Sequence, residues 1–167
     1  IQEWQLKKPI FLIGHSMGGL ISAAYLLNHQ NELSGAVLSG PSIKVPDNIS
    51  QAIIFLGKML SIIMPGARLI KLDPDGVSQD PAVVDAYVND PLVFTGKATA
   101  RLGAELIKTM QSVTEQAAKI TLPIMIAQGG ADKLVDPDGA QILYDIVGSK
   151  DKTIKIYNGL YHEIFNE

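Results

Sequence analysis

Ser16 has the clearest capacity for chemistry in this chain. It lies in Gly14-His15-Ser16-Met17-Gly18-Gly19, a G-x-S-x-G pattern. The apolar run Ile10-Phe11-Leu12-Ile13 precedes it, and a helical stretch from Leu20 to Leu27 follows. Strand, sharp turn and helix together lift a serine hydroxyl above the end of a sheet. The turn strains the serine backbone. Glycine at 14 and 18 is expected because a side chain at either place would collide where strand and helix pack closely. The helix start points free N–H groups and a partial positive charge at the same spot. A serine held there can attack a carbonyl carbon and have the resulting oxyanion stabilised.

A serine nucleophile needs a base, and the base needs an orienting carboxylate. The chain has three histidines, His15, His29 and His162. His15, inside the turn, is expected to point away from Ser16 into packing and a local hydrogen bond; it is also counted with the substrate-binding residues. His29 falls near a helix end, where it suits the negative pole. His162 stands on a loop that follows the expected strand Ile154-Lys155-Ile156-Tyr157. Asp132 stands on a similar loop, Gly129-Gly130-Ala131-Asp132-Lys133, after the run Ile124–Gln128. The order along the chain is serine, aspartate, histidine. Asp136 is the nearest competing carboxylate, but a helix-capping role accounts for it.

These loops need a frame. Strands are expected at 10–14, 36–40, 124–128 and 154–157, with helices at 17–29 and 138–147. Asp136 caps the latter helix, and Pro137 fits its first position. Strands alternating with helices make βαβ units and a parallel sheet. Apolar runs without polar alternation suit a sheet covered on both faces. The polar residues 2–8 read as the tail of a helix that Pro9 ends.

The interval 41–120 breaks this rhythm. It holds helical pieces near 50–63, 81–89 and 97–118 and no core strand, as a lid insertion would. The expected division is core 1–40, helical cap 41–120 and core 121–167. Segment 50–64 is apolar around most of a helical circumference, with Lys58 as its only charge. Such a helix is buried or lies against lipid. One face is expected to line an acyl pocket through Ile54, Met59 and Leu60, joined by Leu134. Another is expected to make transient contact with a lipid surface. An ordinary buried helix is the alternative.

Composition excludes several classes. Fourteen basic and 17 acidic side chains give a net charge of −3 with no basic patch, so nucleic acid is not an expected partner. The chain has no cysteine, which excludes disulfides, thiol catalysis and cysteine-ligated metal. The Asp-Pro-Asp-Gly strings at 73–76 and 136–139 read as turns rather than calcium loops. No metal and no cofactor is expected. No apolar run approaches the roughly 20 residues that span a bilayer. The chain opens on Ile1-Gln2-Glu3-Trp4, with no Met and no signal-peptide pattern. Both ends therefore read as cut, with the native N-terminus elsewhere. A cytoplasmic location is favoured.

The strings GHSMGG, QGGADKLVDPDGA and KIYNGLYHEIFNE, in this order, resemble the monoacylglycerol lipase and lysophospholipase branch of the α/β-hydrolases. The resemblance runs over nearly the whole chain. It implies an α/β-hydrolase fold: a parallel sheet flanked by helices, with a helical cap. It implies Ser16 as nucleophile, Asp132 as acid and His162 as base, with the Met17 N–H in the oxyanion hole. It implies ester or acylglycerol substrates and an acyl-enzyme intermediate. Asp85-Ala86-Tyr87-Val88-Asn89-Asp90-Pro91 resembles a cap segment whose tyrosine lines the leaving-group site; for Tyr87, plain packing is the alternative. The resemblance begins at the fifth strand of an eight-stranded sheet. The first half of the sheet, with the second oxyanion donor, is therefore expected on a separate chain or an unassigned part of the same polypeptide. An acyltransferase or perhydrolase with the same three residues, or a noncatalytic scaffold, are the alternative functions.

Overall fold

A computed structural model describes residues 8–167; the helix tail expected at 2–8 falls almost wholly outside them. Four strands form the main sheet: β1 (Phe11–His15), β2 (Gly35–Ser39), β5 (Ile124–Gly129) and β6 (Lys152–Tyr157). Their spatial order is β1-β2-β5-β6, and every pairing is parallel. The register sets His15 beside Ser39 and Gly129 beside Tyr157. All four strands therefore end at one edge, and the loops bearing Ser16, Asp132 and His162 leave from it.

Spatial order follows chain order. Right-handed crossovers then put the connecting helices on one face. These are α1 (Met17–His29), α4 (Ala100–Gln116) and α5 (Asp138–Ile146). A single core joins them: Leu20 and Leu26 of α1, Met110 and Val113 of α4, and Leu143 of α5 pack with the even-numbered strand residues Leu38 and Ile126. Leu20, Leu26, Leu38, Ile126 and Leu143 are each fully buried.

The odd-numbered face differs from the expectation of a sheet covered on both sides. Phe11 is 60% and Ile13 70% exposed, although β1 reads as a buried strand. In register with Ile13 lie Val37 and Met125, both half-buried. Among the described residues no helix covers this face, and β1 pairs on one side only.

The segment between β2 and β5 holds α2 (Gln51–Ile63), β3 (Arg68–Ile70), α3 (Pro81–Asn89) and β4 (Ala98–Thr99) ahead of α4. Caps start these helices where the sequence supplies them. Ser50 accepts from the Ile53 N–H at 3.3 Å, Asp80 from Ala82 at 2.8 Å and Thr99 from Leu102 at 3.2 Å. The helix expected from 97 therefore begins at 100, because residues 98–99 pair antiparallel with β3. α2 and α4 pack together. α5 begins at Asp138 with Pro137 as its N-cap rather than its first residue, and Asp136, one position earlier than a cap, accepts the Asp138 N–H at 3.0 Å. No helix among the described residues is long and apolar enough to cross a membrane.

Candidate functional site

Ser16 is held at φ 56°, ψ −122°, the only positive φ at a non-glycine among the described residues. Such a conformation costs about 1–3 kcal/mol and survives only where neighbours enforce it. Here the Ser16 N–H donates to the Ser39 carbonyl at 2.8 Å. The Ser16 carbonyl accepts from Gly19 at 2.9 Å, Leu20 at 3.2 Å and Ser42 at 3.3 Å. A Cβ on Gly14 would strike the Ser22 hydroxyl and the Gly18 carbonyl, as expected. Gly18 corrects the reading above: its Cβ would meet nothing within 4 Å. The second close approach belongs to Gly19, whose Cβ would lie 2.9 Å from the Pro41 Cβ. At the first turn of α1, the Met17 N–H has no intrahelical acceptor.

The loops after β5 and β6 are laced together. Gly130 donates to the Tyr157 carbonyl and Ala131 to the Leu160 carbonyl, each at 2.9 Å. Gly129 must be glycine, since any Cβ would overlap the Tyr161 carbonyl. This lacing brings His162 Nδ1 to 2.7 Å from Asp132 Oδ2. Asp132 Oδ2 also accepts from Gln128 Nε2 at 2.8 Å, and Oδ1 accepts from the N–H groups of Leu134 (2.8 Å) and Val135 (3.1 Å). Burial alone would raise the Asp132 pKa. The His162 bond and charge and the two backbone donors outweigh it and hold the carboxyl below its ordinary range. His162 is buried, with Gly40 and His15 against its ring. A Cβ on Gly40 (φ +50°) would lie 3.2 Å from that ring, and the two imidazole centroids are 4.7 Å apart. His162 thus sits beside the residue that precedes Ser16. Its hydrogen bonding stops at Asp132, with none to Ser16 Oγ; such bonds commonly tighten only when substrate binds.

An apolar cavity of about 390 Å³ opens under α2 and α4, between Ile54, Leu60, Gly103, Leu106 and Leu134. Two wall residues tie it to the site: Ser42 donates to the Ser16 carbonyl, and Leu134 donates to Asp132. Ile54, Leu60 and Leu134 therefore line this cavity. Met59 does not. It faces away from Ile54, Gly57 and Leu60 on the helical circumference and is 44% exposed. Tyr87 is also outside the cavity wall, because α3 packs beside the turn at 74–76 rather than over the opening. His15 is not in the wall either. Its Nδ1 lies 3.1 Å from Ser39 Oγ, and its Nε2 lies 3.2 Å from Glu163 Oε1, poorly aligned for a hydrogen bond.

Gln128 was not singled out from the sequence. It is fully buried and supports the Asp132 carboxylate. The available signal was a lone amide ending the apolar run Ile124-Met125-Ile126-Ala127.

Asp136, the competing carboxylate, is engaged elsewhere, at 2.7 Å from Lys44 Nζ. Asp47 stands 2.9 Å from the same nitrogen, and together they raise the Lys44 pKa.

Residues 1–167 match the model of the family described as serine aminopeptidase, S33. The monoacylglycerol lipase of Mycolicibacterium smegmatis is 42% identical over 159 residues, covering 95% of this chain and 57% of that protein. The monoglyceride lipase of Rattus norvegicus is 34% identical over 168 residues, 100% of this chain and 55% of that protein. The crystal structure of Paleococcus ferrophilus monoacylglycerol lipase superposes with a TM-score of 0.86 at 34% identity, covering 96% of this chain and 62% of that one. The chain thus spans little more than half the length of the curated relatives it matches.

Proposed function

The chain belongs to the serine aminopeptidase S33 family, with the α/β-hydrolase fold, and from that premise we propose that it carries the nucleophile, base and acid of a carboxylester hydrolase. The observation that supports this best is the 2.7 Å His162–Asp132 bond beside a strained Ser16, opening onto an apolar cavity.

His162 Nε2 takes the Ser16 proton as Oγ bonds to the ester carbonyl carbon. The Met17 N–H receives the oxyanion. The tetrahedral species collapses, His162 returns the proton to the departing alcohol, and an acyl-Ser16 ester remains. Water, deprotonated by the same imidazole, then releases the acid. Asp132 holds the Nδ1–H tautomer and offsets the charge on the imidazolium. The cavity under α2 takes the acyl chain, since it offers apolar walls and little to pair with a peptide. An acylglycerol is the natural class, as in the named relatives.

Residues 41–120 serve as the cap, rooted in the core through Met110 and Val113 of α4 and through Ala117 just beyond it. The side of α2 away from the cavity carries Phe55, Leu56, Met59, Ile62 and Ile63, all exposed, and suits transient contact with a lipid surface. The open edge of β1 and the uncovered face at Phe11 and Ile13 suit the remaining strands of the fold, which also bring the second oxyanion donor.

Turnover of a short p-nitrophenyl ester by the complete protein and by Ser16→Ala tests this reading. A loss of several orders of magnitude supports it; more than a tenth of normal activity in the variant rejects it.

A further inference from the structure

We propose that Glu163 is a positioning residue for His162, acting through His15 as a second carboxylate behind the base. The proposal rests on the hydrolase reading above.

His15 is wedged between three groups. Its Nδ1 lies 3.1 Å from the hydroxyl of fully buried Ser39, and its Nε2 lies 3.2 Å from Glu163 Oε1. Its ring leans on that of His162, with centroids 4.7 Å apart and planes tilted by 48°. An ionised Glu163 favours the Nε2–H tautomer of His15, which leaves Nδ1 to accept from Ser39. Ser39 then holds the ring at Nδ1, while the Glu163 carboxylate faces Nε2 as a nearby charge without an aligned hydrogen bond. Glu163 is itself steadied by Asn166 Nδ2, 3.1 Å from Oε2.

His162 needs this support on its face. Asp132 locks Nδ1, but one hydrogen bond leaves the imidazole free to tilt about the Nδ1···Oδ2 line. Gly40 and His15 close that freedom, and the φ of +50° at Gly40 lets the backbone come close enough. Tilt of the ring moves Nε2 relative to Ser16 Oγ, and small displacements of a reacting group are costly in rate.

Charge is the second contribution. The ionisable groups around His162 are Asp132, His15 and Glu163. His162 becomes an imidazolium each time it takes the serine proton. Glu163, on the next residue and within electrostatic range, adds a negative charge without touching substrate. The His15 contact outweighs the raising effect of burial and holds the carboxyl of Glu163 below its ordinary range, so it is ionised at neutral pH.

The test is Glu163→Gln in the complete protein, which keeps the shape and removes the charge. On a short p-nitrophenyl ester kcat should fall roughly 3- to 30-fold with KM nearly unchanged. The acid limb of kcat/KM should move to lower pH, because the imidazolium loses a favourable neighbour. Glu163→Asp should recover part of kcat. His15→Asn combined with Glu163→Gln should cost less than the two effects multiplied. A Glu163→Gln enzyme with normal kcat and an unmoved acid limb overturns the proposal, as does a lowered melting temperature without either kinetic change. Ser16→Ala assayed alongside separates the two failures. If it is inactive while Glu163→Gln is normal, only the Glu163 role falls; if it is active, the hydrolase reading falls with it.

Discussion

Around Ser16 four backbone hydrogen bonds and two close glycine approaches hold one costly φ in place. Adding a methyl at Gly14 should release that strain in the wrong direction: Gly14→Ala pushes β1 from α1 and is expected to lower the melting temperature and the activity together. Gly18→Ala has open space and should leave stability within about 0.5 kcal/mol by denaturant titration. The Asp132 carboxylate makes a second prediction. Its pKa is lower in the folded state than the ordinary 3.8, so the unfolded chain binds more protons near that pH. Its contribution to stability is complete above that value and fades as pH falls through the folded pKa. Asp132→Asn should therefore flatten the acid arm of melting temperature against pH below about pH 4. Residue identity made the serine, aspartate and histidine legible, because few side chains do their chemistry. Glu163 escaped because its partner His15 is 148 positions away, a distance that no local pattern encodes, and Gln128 because a lone amide at a strand end does not say which group it faces.

The elements were legible for the same reason that they form. Apolar runs marked β1, β2 and β5, the mixed segment 154–157 marked β6, and 3.6-residue periodicity marked the helices, whose caps Ser50, Asp80 and Thr99 the structure supplies. What α2 faces was not legible, since apolar residues surround it and periodicity then names no side. Packing on α4 decides it. Ile54 and Leu60 turn to the cavity, and Met59 turns out. Ile54→Asp and Leu60→Asp should each reduce hydrolysis of medium-chain esters more than of acetate, since a carboxylate in the cavity is costly to desolvate. Met59→Asp should leave chain-length preference unchanged and instead weaken association with phosphatidylcholine vesicles in a sedimentation assay. Equal chain-length profiles for all three variants would assign α2 to packing alone.

At the scale of the molecule, one face of the sheet is a finished core and the other is open. Leu38 and Ile126 are sealed under three helices, while Phe11 and Ile13 on the opposite side meet solvent. β1 also offers an unpaired edge, a template for association. Residues 1–167 expressed alone should therefore aggregate or bind a hydrophobic dye, and, if the second oxyanion donor lies on the proposed remaining strands, esterase turnover should be reduced by at least about 100-fold. Normal turnover from a soluble monomer would refute that view of the open face. The central claim is that Ser16 becomes acylated with His162 as its base. Labelling the complete protein with a fluorophosphonate, followed by peptide mass mapping, tests it most directly. One adduct is expected, on Ser16, absent in Ser16→Ala and formed far more slowly in His162→Ala. An adduct on another residue, or undiminished labelling of Ser16→Ala, would contradict it.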